Sequence, residues 1–189
     1  MDSADGLIEA AEATGNPCWL AWALLAYGLA FRDADPVGAL NAAGRGLVIA
    51  QDSGNRANAS VLANGLALLE VEHGDPLAAF DHLTLSIRNY HNAGDPTTLR
   101  GPLAALAALF DRLGRYEPAA TIAGFALSIP VAAAALPEIT TAIAHLRDVL
   151  GDQTYESVAR KGETMTTAAI ATYAYDQIDQ ARTTLEHPS

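Results

Sequence analysis

The side chains able to do chemistry are few and scattered. Histidine occurs at His73, His82, His91, His145 and His187. His82 and His91 are nine residues apart on one expected helix, which turns them about 180° away from each other, so they cannot share a metal ion. Asp81 beside His82 and Glu72 beside His73 are sequence neighbours, and adjacent helical residues do not face one another. The histidines therefore read as solvent-facing or locally bonded groups, and no metal is expected. Cys18 is the single cysteine, so there is no intrachain disulfide and no thiolate cluster. Its setting, NPCWLAW, brings no His or Lys close in sequence, and the thiol reads as a small buried hydrophobe. No serine stands in a GxSxG context, and neither HExxH nor GxxxxGK[ST] occurs. The phrase AAGRGLVIA, with Gly44 and Gly46, lacks the preceding strand and remaining glycine of a dinucleotide loop, so its glycines read as close helix packing. Glu156, Glu163, Asp176 and Asp179 define no carboxylate pair for general acid and base work. No catalytic, cofactor-binding or metal residue is assigned, and no cofactor is expected.

What remains is a scaffold, and composition says of what kind. Half of the 189 residues are apolar, with the excess in alanine and leucine rather than β-branched or aromatic residues, which favours packed helices. The formal charge is -11, from 22 acidic and 11 basic side chains. Only Arg160 and Lys161 are adjacent bases, so direct nucleic-acid binding is not expected. The acidity reads first as solubility and second as a preference for a basic partner. The opening MDSADGLIEAAEATG carries no positively charged segment and long apolar run of a secretory signal. Charges or glycine-rich turns interrupt every apolar run before a bilayer-spanning length. A cytoplasmic protein with no membrane partner is the expectation.

A forty-residue period organises the chain. ADPVGAL at 34–40, GDPLAAF at 74–80 and GRYEPAAT at 114–121 echo one another and put Ala39, Ala79 and Ala119 at equal spacing. Asp35 and Asp75 can cap helices whose first residue is Pro36 or Pro76, because the carboxylate accepts orphan amide hydrogens and proline has none to leave orphaned. In the third copy Arg115 takes the acidic position. The small residue in each copy permits close crossing of paired helices. Asn16–Pro17 and Asp95–Pro96 open helices in the other half of each unit, with SGNRAN at 53–58 as the boundary between them. The expected helices span about 3–13, 17–31, 36–51, 57–73, 76–92, 96–113 and 117–128. Pro102 conflicts with an unbroken helix from 96, so that helix either kinks or begins at Gly101. Beyond SIPVAAAAL at 128–136, the least regular connection, PEITTAIAHLRDVLG, DQTYESVARKG and TMTTAAIATYAYDQIDQARTTL predict three closing helices, with Thr164 and Thr166 as candidate caps. The expected fold is all-α, a single helical-repeat domain over 1–189, with hairpins over about 16–128 and atypical closing helices over about 137–189 that cover the open end.

The repeat length, the small residues of its second helices and the recurring AL, G and Y resemble a degenerate tetratricopeptide-like, right-handed solenoid, though the usual period is about thirty-four residues. LGRYEPAATIAGFA at 113–126 and YESVARKGETMTTAAIATYA at 155–174 are similar to the carboxy-terminal helical-repeat region of large actinobacterial signalling regulators. Those proteins can carry a nucleotide-cyclase-like domain, a regulatory ATPase domain and sometimes a carboxy-terminal LuxR-type helix-turn-helix. The motifs of all three are missing here, so what the resemblance implies is regulatory protein contact in a bacterial cytoplasm, by a repeat region or a short relative.

A non-enzymatic interaction module with a protein or peptide partner follows, and homo-oligomerisation is compatible with it. In the forty-residue register the candidate inner row is Leu24, Asn64 and Ala104, with Gly28, Leu68 and Ala108 one helical step on. Asn64 and Arg100 are the polar binding candidates, since an amide and a guanidinium can orient a peptide backbone or carboxylate, and Leu24 and Leu68 are their apolar companions. The alternative is a small-molecule sensor with a pocket between repeats and closing helices, where Trp19, Trp22, Tyr27, Phe31 and Tyr116 could line a cavity, although each of them reads first as core.

Overall fold

The computed structural model describes residues 2–128 and 137–187, and most of the expected connection at 128–136 lies outside them. The described residues form ten helices and no strand: α1 Asp2–Ala13, α2 Pro17–Phe31, α3 Pro36–Asp52, α4 Arg56–His73, α5 Pro76–Asn92, α6 Arg100–Arg112, α7 Tyr116–Leu127, α8 Pro137–Leu150, α9 Asp152–Glu163 and α10 Thr167–Glu186. The chain divides into two compact units, Met1–Asn89 and Tyr90–Ser189.

The caps explain the boundaries. Asn16 accepts from the Cys18 amide at 2.9 Å, Asp35 from Gly38 at 3.0 Å, Asn55 from Asn58 at 3.1 Å and Thr166 from Ala169 at 3.2 Å, each satisfying an otherwise orphaned donor of the first turn. α6 begins later than the expected residue 96. Asp95 gathers the amides of Thr97 and Thr98 and the Thr98 hydroxyl into a turn, and Pro102 then falls in the first turn of the helix, where its missing amide costs nothing.

In the first unit, α2 and α3 form an antiparallel hairpin held by reciprocal glycine contacts. A Cβ on Gly28 would lie 2.9 Å from the Ala39 carbonyl oxygen, and one on Gly46 2.8 Å from that of Ala21. Backbone thus meets backbone at both ends of the crossing, and any side chain would separate the helices. Gly44 takes no part: nothing lies within 4 Å of its would-be Cβ. The expectation that both glycines serve packing is corrected here: residues two apart on a helix point about 200° from each other, so only one can face α2. Ala39, Ala79 and Ala119 are all fully buried, and Leu25, Leu47, Leu62, Leu66 and Leu69 fill the core of the first unit.

The forty-residue period is visible as contact. Asn58 donates to Cys18 Sγ at 2.8 Å, Gly65 backs onto Leu25, Gly28 meets Leu69, and Arg32 pairs with Glu72. Residue i of α2 meets residue i+40 or i+41 of α4 throughout, so the two helices run parallel in register. Cys18 is accordingly half-buried and hydrogen-bonded rather than sealed in the core. α5 returns against α4, with the Ser86 hydroxyl donating to the Ser60 carbonyl at 3.0 Å.

The second unit uses the glycine device elsewhere. α6 and α7 form a hairpin, but the tightest crossing is between α7 and α9, where a Cβ on Gly124 would overlap the Ala159 carbonyl and one on Gly162 that of Thr121. Arg115, at the α6–α7 turn, donates to Gln177 at 3.0 Å and Gln180 at 3.3 Å and so ties α10 to the turn. No helix among the described residues is long and apolar enough to cross a membrane.

Candidate functional site

α2 carries no charged residue from Pro17 to Phe31. A helix apolar on every side offers no periodicity from which to read its outward face, and burial all round is the usual outcome. The structure leaves one side open instead. Trp19 is 63% exposed, Trp22 38% and Leu29 39%, and Leu7 of α1 is 46% exposed. The expectation that both tryptophans are core is therefore corrected: both rings stand exposed beside α1. Leu7, Ala10, Ala11 and Thr14 on α1 and Trp19, Trp22, Ala23 and Ala26 on α2 line an almost wholly apolar groove of about 480 Å³. Tyr27 and Phe31 stack on each other, with ring centroids 4.7 Å apart, toward the other end of α2.

A second groove of the first unit, about 620 Å³, lies across α3, α4 and α5. Its floor includes Leu40, Leu47, Leu66 and Leu85, and its edge Gln51, Asp75 and Asp81. His82 Nδ1 stands 2.7 Å from Glu70 Oε2 on that edge, which fixes the carboxylate of a residue only 9% exposed. The second unit has a comparable pair, His145 Nδ1 and Asp111 Oδ1 at 2.9 Å, joining α8 to α6. Tyr116 packs edge-on against that imidazole, with centroids 5.7 Å apart. A third depression, about 530 Å³, runs along one face of α9 past Glu156, Arg160 and Lys161.

The residues singled out from the sequence are dispersed. Leu24 and Ala104 are buried in their units, as are Gly28 and Ala108, while Asn64 and Leu68 are half-buried. The inner row faces packed helices because the first helix of each hairpin is the one its neighbours close upon. Asn64 Oδ1 has no hydrogen-bond partner among the described residues. Arg100 is 9% exposed and spends its guanidinium inside the second unit. Its Nη1 donates to the Phe125 carbonyl and, at 2.8 Å, to the Ser128 hydroxyl, and its Cζ lies 4.6 Å from the centroid of the Phe125 ring. It thus caps the carboxyl end of α7, where orphan carbonyls and the negative helix end favour a cation. Burial pulls its pKa below the usual arginine range.

Other displaced pKa values also trace to structural contacts. Tyr155 is pushed up by burial, against the opposing pull of Arg147, whose Cζ lies 4.4 Å from its ring centroid. Arg147 is itself raised by hydrogen bonds to Asp152 and Glu156. Tyr90 is raised by burial and then by the charge of Asp95. Among the described residues one three-membered group, Asp33, Glu72 and His73, brings potential metal-ligand atoms within 4.8 Å of one another. As neighbours on one helix, Glu72 and His73 give no sign of this group; the signal in the sequence is the period, since Asp33 and His73 are forty residues apart.

No protein-family profile, no curated protein and no solved structure matches this chain.

Proposed function

We propose that the chain is a non-enzymatic interaction module whose principal contact is the tryptophan face of α1 and α2. The observation that carries this reading is the open apolar side of a helix with no charge: two indoles and two leucines at 38–63% exposure form a patch that water solvates poorly. Exposed contiguous apolar surface marks association sites, and tryptophan is the residue most enriched among those dominating binding energy. A groove between two helices suits an amphipathic partner helix that lays its apolar stripe between them. The in-register stacking of α2 on α4 supports a tetratricopeptide-like repeat, and the resemblance of 113–126 and 155–174 to the repeat region of actinobacterial regulators is what supports a regulatory role in this reading. Asn64 and Leu68, half-buried on α4, are secondary contacts in this proposal. A small-molecule sensor would need the aromatic side chains enclosed, whereas Trp19 and Trp22 stand in the open.

Titration calorimetry with partners recovered by pull-down tests it. Trp19→Ala with Trp22→Ala should weaken binding by about 2 kcal/mol or more with the melting temperature kept, because neither ring is core. Unchanged affinity in the double variant would remove this face from the proposal.

A further inference from the structure

The carboxyl ends of α2 and α4 lie side by side, because the two helices run parallel in the forty-residue register. Asp33 follows the end of α2 and His73 ends α4, and their side chains meet there. His73 Nε2 is 3.6 Å from Asp33 Oδ1 and 3.6 Å from Glu72 Oε2, and the three ligand atoms all lie within 4.8 Å of one another. At zinc–nitrogen and zinc–oxygen bonds of about 2.0–2.2 Å, two ligands of a tetrahedral ion stand about 3.3–3.6 Å apart. Two edges of such a tetrahedron are therefore already set. Two helix carboxyl ends add partial negative charge to the two carboxylates, so the position attracts a cation on electrostatic grounds independent of the ligand spacing.

We propose that Asp33, Glu72 and His73 bind one divalent transition-metal ion of the zinc class, with water completing the coordination. One imidazole nitrogen and two carboxylate oxygens suit such an ion better than calcium or magnesium, which take oxygen ligands. Arg32 Nε lies 3.6 Å from Glu72 Oε2 and balances part of the charge. The site joins adjacent repeats, so metal there would clamp α2 to α4. In the third copy of the period the positions of Glu72 and His73 are held by Arg112 and Leu113, which cannot ligate.

The test uses the full chain after chelator treatment, titrated with zinc chloride in a calorimeter, and with cobalt(II) as a visible probe of tetrahedral coordination. One equivalent of zinc should bind. Asp33→Asn and His73→Gln should each weaken binding at least about tenfold and abolish the cobalt band. Asp33 has a side chain 85% exposed, so its variant reads the site even if His73→Gln disturbs the helix end. His82→Gln and His145→Gln, which alter the two other histidine–carboxylate pairs, should bind as the parent does. Absence of stoichiometric binding, or loss of binding in those two controls with retention in Asp33→Asn, would overturn the assignment.

Discussion

Both units are built around one packing device, a pair of glycines each pressed against the other helix's carbonyl, and they deploy it at different distances along the chain. In the first unit Gly28 and Gly46 join consecutive helices, α2 and α3, across a short turn. In the second, Gly124 and Gly162 join α7 to α9, with α8 between them in sequence. The contact chemistry is the same: the missing Cβ admits a carbonyl at van der Waals range, and Cα–H groups face oxygen. What differs is the reach. The near version continues the repeat, leaving α2 free to stack on α4 forty residues on. The far version folds a closing helix across α7, and the register stops there.

Substitution at these glycines should separate the two crossings by size. Gly162→Ala puts a methyl group into the Thr121 backbone, which has no rotamer to relax, and should cost about 3 kcal/mol or more. Gly46→Ala meets the Ala21 carbonyl less severely and the movable Leu62 Cδ2 at 3.0 Å, so about 1–2 kcal/mol is expected. Gly44→Ala, in open space on the same helix, should instead stabilise by about 0.5–1 kcal/mol through helix propensity. Thermal melts of the three variants order the effects, and an equal loss at Gly44 and Gly46 would show that propensity rather than packing governs α3.

Arg100 sharpens the comparison at the end of α7. The first unit ends its helices with turns and half-exposed polar groups, whereas the second buries a guanidinium on the Phe125 and Ser128 oxygens. Arg100→Ala should destabilise by about 2–4 kcal/mol, because charged hydrogen bonds and ring packing are lost together and carbonyls are left unpaired. Chemical denaturation would read it. A loss below about 0.5 kcal/mol, typical of an exposed position, would return Arg100 to the surface role that the sequence suggested.

The sequence carried most of the fold and little of the surface, for physical reasons that particular residues make plain. Asn16–Pro17, Asp35–Pro36 and Asp75–Pro76 announce helix starts by local hydrogen-bond chemistry, and α2 and α5 begin and end where that chemistry predicts. Asp95 misled because the same carboxylate that caps a helix can close a turn, and α6 starts only at Arg100. The outward side of α2 was hidden by the absence of any polar residue to mark it. The α7–α9 crossing was illegible because nothing at Gly124 or Gly162 names a partner 38 residues away, outside the repeat. Asp33, Glu72 and His73 were legible in principle, since a forty-residue offset between parallel helices juxtaposes them.

The smallest expected effect concerns how the first helix of each hairpin begins. Asn55 and Asp95 occupy equivalent positions of the period, and each accepts backbone amides, Asn58 in one unit and Thr97 and Thr98 in the other. Only the second is ionisable. Hydrogen bonds from the Thr98 hydroxyl and amide, then the Thr97 amide, hold the Asp95 pKa below its ordinary value. A carboxyl group whose folded pKa is depressed stabilises the fold above its unfolded pKa, about 3.9, and that contribution disappears as pH falls through the lower folded value. Asp95→Asn reproduces the first unit's neutral cap. At neutral pH the variant should melt slightly below the parent, and the gap should close on acidification through that window, since both chains then carry an uncharged acceptor. The group is partly exposed, so solvent screening keeps the difference small. Amide exchange at Thr97 and Thr98 is the more sensitive readout: faster exchange in the variant at neutral pH, converging with the parent in acid, fits this origin. A gap independent of pH would instead assign the turn to the geometry of the side chain and remove charge from the distinction between the two units.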